Sequence, residues 1–269
     1  MAQQDAAALP AGYRHSHFAE IDSTNEEARR LGDAGDPGNI WITADLQTAG
    51  RGRRGREWVS PNGNFMGTLL LSPHCGPRKA GELSFVAAVA VHDAVESILP
   101  PHLKGRLKLK WPNDLLHDRR KLAGILLESS GVAGGEVAWV AIGMGVNLAV
   151  YPENIEYPAI SLAAMQAGHV TPLEMLEPLA ASFERWLAVW RGQHGFAAIR
   201  EAWLARAEGL HGEITVRLSD ESFTGTFEGL SPDGTLEIRL ADGGLRKVAA
   251  GDVFFGPAVS PMASRPPAR

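Results

Sequence analysis

The chain has 269 residues, of which 45% are hydrophobic and 21% are charged, and its formal net charge is −5. This composition is ordinary for a globular protein and excludes disordered and collagen-like chains. No apolar run reaches the roughly 18 residues of a membrane-spanning helix, and the N-terminal residues lack the basic and apolar regions of a signal peptide. We therefore expect a cytoplasmic protein without membrane contacts.

The cysteine and histidine content limits the chemistry further. Cys75 is the single cysteine, which excludes an internal disulfide and a cysteine-rich metal site. The nine histidines show no close spacing typical of metal ligands. We expect no metal ion held by protein side chains.

Local sequence patterns predict alternating strands and helices over the first 209 residues. Predicted strands cover residues 13–21, 40–44, 65–71, 107–111 and 137–142, and a hairpin return covers 115–128. The strand at 137–142 is almost wholly apolar, which predicts burial on both faces before a glycine-containing segment at 143–148. One predicted helix begins at the cap residues 22–25 and ends near residue 31. Three further predicted helices cover residues 82–99, 172–192 and 196–207.

The pattern changes after residue 209. Short predicted strands at 213–218, 222–230, 235–240 and 245–249 alternate with tight turns, which is typical of a small β-barrel. We expect a second domain over residues 210–258 and a disordered tail over 259–269.

A loop rich in glycine and arginine follows the strand at 40–44. It contains three glycines and four arginines between Gly50 and Arg56. Glycine lets the backbone approach a ligand closely, and the guanidinium fork suits phosphate and carboxylate groups. A solvated basic turn or an RNA-binding patch is the alternative, but one basic loop on an acidic chain offers few phosphate contacts. The pattern favours a compact phosphorylated ligand.

Several other polar segments have both a local and a functional interpretation. Ser23, Thr24 and Asn25 can cap a helix, or they can present hydroxyl, amide and main-chain N–H groups to a small polar ligand. Asn113 can satisfy its own turn or bind a ligand. Gly124 interrupts an apolar strand, which often marks close approach by a ligand or another backbone. These residues alone leave both interpretations open.

In their order and spacing, these segments resemble the biotin protein ligases. The matching motifs are Asp-Ser-Thr-Asn at 22–25, the Gln-Thr-Ala-Gly-Arg-Gly-Arg-Arg-Gly-Arg-Glu-Trp loop at 47–58, Lys-Trp-Pro-Asn-Asp at 110–114, Lys-Leu-Ala-Gly-Ile-Leu-Leu-Glu at 121–128 and Gly-Met-Gly-Val-Asn at 143–147. Each motif alone is weak, whereas their joint occurrence is specific. The resemblance covers residues 21–148, and the small C-terminal β-domain matches the family's usual ending.

The resemblance implies an α+β fold. Its first domain, residues 1–209, would be a central mixed sheet flanked by helices, related to the class II aminoacyl-tRNA synthetase core, which binds biotin and ATP. Its second domain would be an SH3-like barrel. Family members that also act as repressors have a winged helix-turn-helix before the Ser-Thr-Asn motif, and only about 20 residues precede it here, so we expect no repressor activity and no nucleic-acid partner. Met144 departs from the family motif only in bulk.

The resemblance also implies a two-step reaction with ATP, Mg²⁺ and biotin. Biotin would be activated as biotinyl-5′-AMP and then transferred to a lysine of the biotin carboxyl carrier protein of acetyl-CoA carboxylase or a related carboxylase. An attack of one anion on another requires positive charge, so we expect Lys121, Arg53 and Arg51 to be catalytic. The alternative for Lys121 is an ordinary surface lysine at a strand end.

Biotin's ureido ring needs both hydrogen-bond donors and acceptors in its pocket. The expected biotin-binding residues are Ser23, Thr24, Asn25, Gln47, Arg51, Gly52, Arg53, Lys121, Gly124, Gly143 and Gly145. The expected nucleotide-binding residues are Arg51, Arg53, Trp58, Lys110, Asn113, Asp114, Lys121 and Asn147, with Mg²⁺ held through the ATP phosphates. Trp58 would either stack on adenine or anchor the loop to the core.

Two other functions compete with this interpretation. A lipoate or octanoyl ligase shares the general core, but its ligand has no ureido group to bind the polar residues. A binding module would use the C-terminal domain to recruit a partner, yet that segment has mixed charge and no basic stripe. Whether the chain forms a homodimer stays open, because periodicity does not identify an exposed sheet edge.

Overall fold

The computed structural model describes residues 8–59, 61–153 and 157–255. It divides the chain into two compact units, Met1–Glu208 and Gly209–Arg269. The predicted disordered tail at 259–269 lies outside the described residues. Among the described residues, no helix combines the length and the hydropathy that crossing a bilayer requires.

The first unit contains a seven-stranded mixed sheet and five helices among its described residues. Its strands are β1 (Arg14–Ile21), β2 (Ile40–Gln47), β3 (Phe65–Leu71), β4 (Leu107–Lys110), β5 (Asp114–His117), β6 (Arg120–Ser129), β7 (Val132–Ala133), β8 (Glu136–Val137) and β9 (Val140–Val146). Its helices are α1 (Thr24–Asp33), α2 (Pro77–Gly81), α3 (Leu83–Ile98), α4 (Pro172–Arg191) and α5 (Gly195–Ala205). Strands β7 and β8 form a separate two-stranded ribbon.

The main sheet has the strand order β1-β2-β3-β9-β6-β5-β4. Strands β1 and β2 are parallel, and the other neighbours are antiparallel. Strand β3 is buried along its whole length, which agrees with its largely apolar sequence. The predicted central mixed sheet is confirmed.

Helices cover both faces of this sheet. Successive strand residues point to opposite faces, so Trp41 and Ile42 of β2 meet different helices. The Trp41 ring packs edge-on against Phe183 of α4, with ring centroids 6.2 Å apart. Ile42 lies in a buried cluster with Ala28 of α1 and with Trp139. Site residues on the α1 face are therefore positioned by a core that is buried on both sides.

The predicted strand at 137–142 is wrong in its bounds. Val137 pairs with Val132 in the small ribbon, while β9 begins only at Val140. Ser130 Oγ accepts a hydrogen bond of 2.7 Å from the Ala138 main-chain N–H, which takes that residue out of the main ladder. Strand β9 also extends to Val146, so Gly143 and Gly145 lie inside a central strand instead of after it.

The second unit is an antiparallel sheet of five strands among its described residues. They are β10 (Glu213–Arg217), β11 (Ser222–Leu230), β12 (Leu236–Arg239), β13 (Leu245–Val248) and β14 (Asp252–Phe255), in the order β13-β12-β11-β10-β14. The sequence pattern missed β14, which has only four residues. The predicted small β-domain is thus confirmed as a five-stranded sheet, and within residues 209–255 no pairing between β13 and β14 closes it into a barrel.

Two histidines make the stability of this fold depend on pH. Burial lowers the pKa of His117, whose side chain is 2% exposed, and the Asp118 carboxylate opposes that shift. Burial and the charge of His17 lower the pKa of His15. Such a group takes up its proton more readily after unfolding, so the free energy of unfolding should fall as the pH drops below the unfolded value of about 6.5. Urea denaturation between pH 7 and pH 5 measures this fall.

Substitution isolates the contribution of His117. His117→Leu should flatten the pH dependence over this range, whereas His102→Gln, at an exposed position, should keep the wild-type slope. An unchanged slope in His117→Leu would show that this side chain does not cause the effect.

Candidate functional site

Three glycines on one face of the sheet define the site, and we call Gly124, Gly143 and Gly145 the glycine face. Gly143 and Gly145 are two residues apart in β9, and Gly145 pairs with Gly124 of β6. They therefore point to the same side. A Cβ atom on Gly143 would lie 2.3 Å from Asn25 Oδ1, and one on Gly145 would lie 2.5 Å from the Trp58 ring. Larger residues would displace the side chains that stand on this face.

Polar side chains at the start of α1 form the first group above the glycine face. The main-chain N–H and the hydroxyl of Thr24 donate to Gln47 Oε1 at 2.8 and 3.0 Å. Thr68 Oγ1 lies 2.8 Å from Thr24 Oγ1 and 2.6 Å from Asn25 Oδ1. Ser23, Thr24 and Asn25 are each no more than 5% exposed. The structure thus joins the expected Ser-Thr-Asn residues with Gln47, and it adds Thr68.

The simple capping interpretation of Ser23 does not hold. Ser23 occupies the N-cap position of α1, yet its side chain makes no capping hydrogen bond. Its main-chain N–H donates to Asp22 Oδ1 at 2.7 Å. The serine hydroxyl is therefore not used to satisfy the helix end.

The Asn25 amide is engaged within the protein. Its Nδ2 donates to Glu128 Oε2 at 2.7 Å and to the Leu126 carbonyl at 3.3 Å, while its Oδ1 accepts from Thr68. Both amide protons have protein acceptors, which is the full donor capacity of this group. This arrangement fixes the orientation of Asn25 over Gly143.

The arginine loop is attached to α1 and β6 through two acids, which we call the carboxylate pair, Glu26 and Glu128. Arg51 Nη2 lies 2.7 Å from Glu26 Oε1 and 3.3 Å from both oxygens of Glu128. The loop is closed on itself by a hydrogen bond from the Trp58 N–H to the Gly50 carbonyl. Gly52 and Arg53 lie within it, and residues Arg53–Gly55 form a short 3₁₀ turn. Arg51 therefore neutralises acids in this structure.

A second group, the lysine cluster, consists of Lys110, Asp114 and Lys121. The Asp114 carboxylate lies 2.7 Å from Lys121 Nζ and 3.8 Å from Lys110 Nζ. Burial raises the pKa of Asp114, but the charges of the two lysines and of Arg53 outweigh burial and hold this pKa below its ordinary value. The carboxylate therefore stays ionised. Because two lysines surround one carboxylate, the cluster carries a net positive charge.

Strand register brings the lysine cluster to the glycine face. Lys110 pairs with Asp114 across β4 and β5, and Asp114 pairs with Gly124 across β5 and β6. A Cβ atom on Gly124 would lie 3.2 Å from Lys121 Nζ and 3.0 Å from the Trp58 ring. Lys121 Nζ is 5.4 Å from the centroid of the Trp58 ring. Trp58 therefore anchors the loop to the sheet beside Lys121, one of the two roles expected for it.

The two asparagines of the expected nucleotide-binding set support main-chain groups. Asn113 Nδ2 donates to the Ile125 carbonyl at 2.5 Å, and Asn113 Oδ1 accepts from Arg53 at 3.4 Å. Asn147 is buried and donates to the carbonyls of Lys121 and Ile160 at 3.4 and 3.1 Å. Both residues hold the backbone that presents Lys121, and Asn113 also reaches the arginine loop.

Sequence analysis missed four residues that contact the site. They are Glu26, Thr68, Glu128 and Tyr157, and the last places its ring 3.6 Å from Lys110 Nζ. Glu128 is the last residue of the motif at 121–128, and only this membership indicated that it could belong to the site. Thr68 and Tyr157 belong to no motif. Thr68 reaches the site through the pairing of β3 with β9, and Tyr157 reaches it because its segment forms main-chain hydrogen bonds with Lys121.

Comparison with known proteins follows the same division of the chain. The model of the biotin/lipoate A/B protein ligase family matches residues 18–147, and that of the biotin protein ligase C-terminal domain matches residues 212–256. The chain is 47% identical over 244 residues to a biotin–acetyl-CoA-carboxylase ligase of Paracoccus denitrificans, covering 89% of this chain and 99% of that protein. It is 30% identical over 241 residues to the bifunctional ligase/repressor BirA of Bacillus spizizenii, covering 88% and 72%.

A solved structure gives a similar result. The biotin protein ligase of Aquifex aeolicus in complex with biotin and ATP superposes with a TM-score of 0.74 at 26% identity. The match covers 90% of this chain and 97% of that one.

The carboxylate pair can be tested without measuring activity. Glu128→Gln removes one of the charges that hold Arg51, and an exposed ion pair contributes about 0.5–1 kcal/mol, so trypsin should cleave the loop about 2–5 times faster. Limited proteolysis followed by mass spectrometry measures cleavage after the loop arginines. Glu27→Gln is the matched control, because Glu27 pairs with Arg30 instead. Equal cleavage rates in both variants would contradict the attachment.

Proposed function

Because the chain belongs to the biotin protein ligase family, we propose that it joins biotin to a lysine of a carrier protein with the use of ATP. The acceptor is the biotin carboxyl carrier protein of acetyl-CoA carboxylase or a related carboxylase. Residues 1–209 carry the reaction, and residues 210–258 form the accompanying C-terminal domain. We place the reaction in the cytoplasm.

One observation carries this proposal. A polar group made by Ser23, Thr24 and Gln47 and the positively charged lysine cluster stand on the same glycine face. The polar group has donors and acceptors for an uncharged polar ring. The lysine cluster has an excess of positive charge that can bind anionic groups. A ligase that activates a carboxylate with ATP needs these two environments side by side.

In the first step, a biotin carboxylate oxygen attacks the α-phosphorus of ATP. The new P–O bond gives biotinyl-5′-AMP, and pyrophosphate leaves with the electron pair of the broken bond. Lys121 stabilises the charge that accumulates between the two anions, and Arg53 adds positive charge from the loop. Mg²⁺ carried on the ATP phosphates would offset their negative charge; the described residues contain no cluster of three ligands that would hold the ion instead.

Asp114 acts on this step through Lys121. Its carboxylate lies 2.7 Å from Lys121 Nζ and stays ionised, so it fixes the direction of the ammonium group. A residue with a lowered pKa is a poor proton acceptor near neutral pH. We therefore assign Asp114 a positioning role.

In the second step, the acceptor lysine amine attacks the carbonyl carbon of the mixed anhydride. A C–N bond forms, the bond to the phosphate oxygen breaks, AMP leaves and the amine loses a proton to solvent. The arginine loop with Trp58 covers this region, which limits hydrolysis of the anhydride before the acceptor arrives.

The polar group favours biotin over a lipoyl ligand. Ser23, Thr24 and Gln47 are buried or half-buried, and their hydroxyl and amide groups suit a ureido ring, which a lipoyl ligand lacks. Asn25 supports this pocket from behind, because its amide is bonded to Glu128, Leu126 and Thr68.

The direct experiment combines the protein with biotin, MgATP and a carrier domain. Intact-mass spectrometry should show the carrier gaining one biotinyl group. Lys121→Ala should lower the rate by about 100-fold or more, because it removes a preorganised charge at the reacting atoms. Lys108→Ala, on strand β4 of the same sheet, should keep the wild-type rate. No gain of mass on any carrier would contradict the function, and full activity of Lys121→Ala would contradict its assigned role.

The loop makes a separate prediction about the intermediate. Arg53→Gly should release biotinyl-5′-AMP into solution, because the loop then loses a cation that faces the anionic site. Gel filtration after incubation with biotin and MgATP measures how much intermediate stays with the protein. Arg54→Gly is the matched control, since Arg54 has a φ of 57° that glycine adopts readily. Equal retention by wild type and Arg53→Gly would count against this role.

A further inference from the structure

Tyr157 returns to the lysine cluster from a distant part of the chain. The segment at 157–160 lies beside the start of β6, where the Lys121 N–H donates to the Pro158 carbonyl at 2.7 Å and the Ile160 N–H donates to the Lys121 carbonyl at 2.9 Å. These bonds place the Tyr157 ring over Lys110, with Nζ 3.6 Å from the ring centroid. The segment thus contacts both lysines of the cluster.

Lys110 is in a position where a ring contact has a large effect. Its side chain is nearly buried, with the residue 7% exposed, so water contributes little to the solvation of its ammonium group. Asp114 lies 3.8 Å away, which is longer than a charge-assisted hydrogen bond. The negative face of an aromatic ring attracts a cation most strongly where water is excluded. Tyr157 therefore shares the stabilisation of this charge with Asp114.

This contact determines how the Asp114 carboxylate is divided between two lysines. Lys121 takes the short contact of 2.7 Å, and Lys110 stays at the longer distance under the ring. Loss of the ring removes one favourable contact of the buried Lys110 ammonium, which favours a closer approach to Asp114 in competition with Lys121. The position of Lys121 would then be less defined.

We propose that Tyr157 is a positioning residue of the ligase reaction, whose ring holds Lys110 so that Asp114 is left to orient Lys121. The proposal rests on the function proposed above for the lysine cluster. It concerns the aromatic ring and not the phenol, because burial and the charges of Asp114 and Glu208 raise the Tyr157 pKa and the hydroxyl stays neutral. A phenylalanine should therefore replace the tyrosine, whereas an aliphatic residue should not.

Three variants test the proposal through biotin-dependent ATP–pyrophosphate exchange, which reports the first step. Tyr157→Phe should stay within about twofold of wild type, and Tyr157→Leu should lower kcat by about tenfold, as expected when a reacting group loses its position. In Tyr157→Leu the loss in kcat should exceed any rise in the KM for biotin, because the variant leaves Ser23, Thr24 and Gln47 unchanged. Tyr151→Leu, at an exposed tyrosine, is the matched control and should behave as wild type.

A second readout does not depend on activity. In NMR spectra of lysine-labelled protein, the ring should shift the Lys110 Hε signals upfield in wild type and Tyr157→Phe but not in Tyr157→Leu. If the shift is present and no exchange occurs in wild type, the proposed function fails while the contact stands. If Tyr157→Phe is as impaired as Tyr157→Leu, or if Tyr157→Leu keeps the wild-type kcat, the proposal is overturned.

A graded series covers the case in which Tyr157→Leu does not fold. Phenylalanine with successive ring fluorines at position 157 keeps the shape of the ring and weakens its negative face. The exchange rate should fall stepwise with each fluorine. A rate independent of fluorination would overturn the proposal as well.

Discussion

The arrangement of the site depends on one half-buried carboxylate. Asp114 lies between Lys121 and Lys110, and its charge is retained because the two lysines outweigh the effect of burial. Removing one member of such a group leaves an uncompensated charge in a region with little water. This constraint explains why the cluster is built on three adjacent strands, since only a rigid sheet keeps three charged side chains at fixed distances. The two lysines also give this site a local excess of positive charge, although the chain as a whole has a net charge of −5.

The glycine face connects this charged group to the rest of the site. Because Gly143 and Gly145 have no Cβ, Asn25 and Trp58 rest directly on the backbone of β9. Asn25 then continues through Glu128 to Arg51, so one hydrogen-bonded network extends from the buried polar group to the exposed arginine loop. The loop and the pocket are thus parts of the same structure, which suits an enzyme that has to retain a reactive intermediate.

Much of this fold follows from sequence patterns, because strands such as β3 are short apolar runs and helices such as α3 have apolar residues at helical spacing. The structure brings the motif residues together because most of them lie at or near the end of a predicted strand or helix. Contacts between segments that are distant in sequence could not be predicted. Tyr157 meets Lys110 because residues 157–160 form main-chain hydrogen bonds with Lys121. Closure of the C-terminal sheet could not be predicted either, because strand lengths do not specify which edges pair. The predicted start of β9 was wrong because the ribbon at Val137 has the same apolar character as the strand. The engagement of Arg51 by Glu26 and Glu128 also lay beyond sequence patterns, since it joins three separate segments.

The central claim is that Lys121, oriented by Asp114, meets the phosphate of the activated intermediate on the glycine face. A crystal structure of the protein grown with biotin and MgATP tests this most directly. The account predicts biotinyl-5′-AMP with its phosphate oxygens on Lys121 Nζ, its ureido ring against Ser23 and Thr24, and the Lys121–Asp114 contact intact. An adenylate bound elsewhere, with Lys121 turned to solvent, would contradict it.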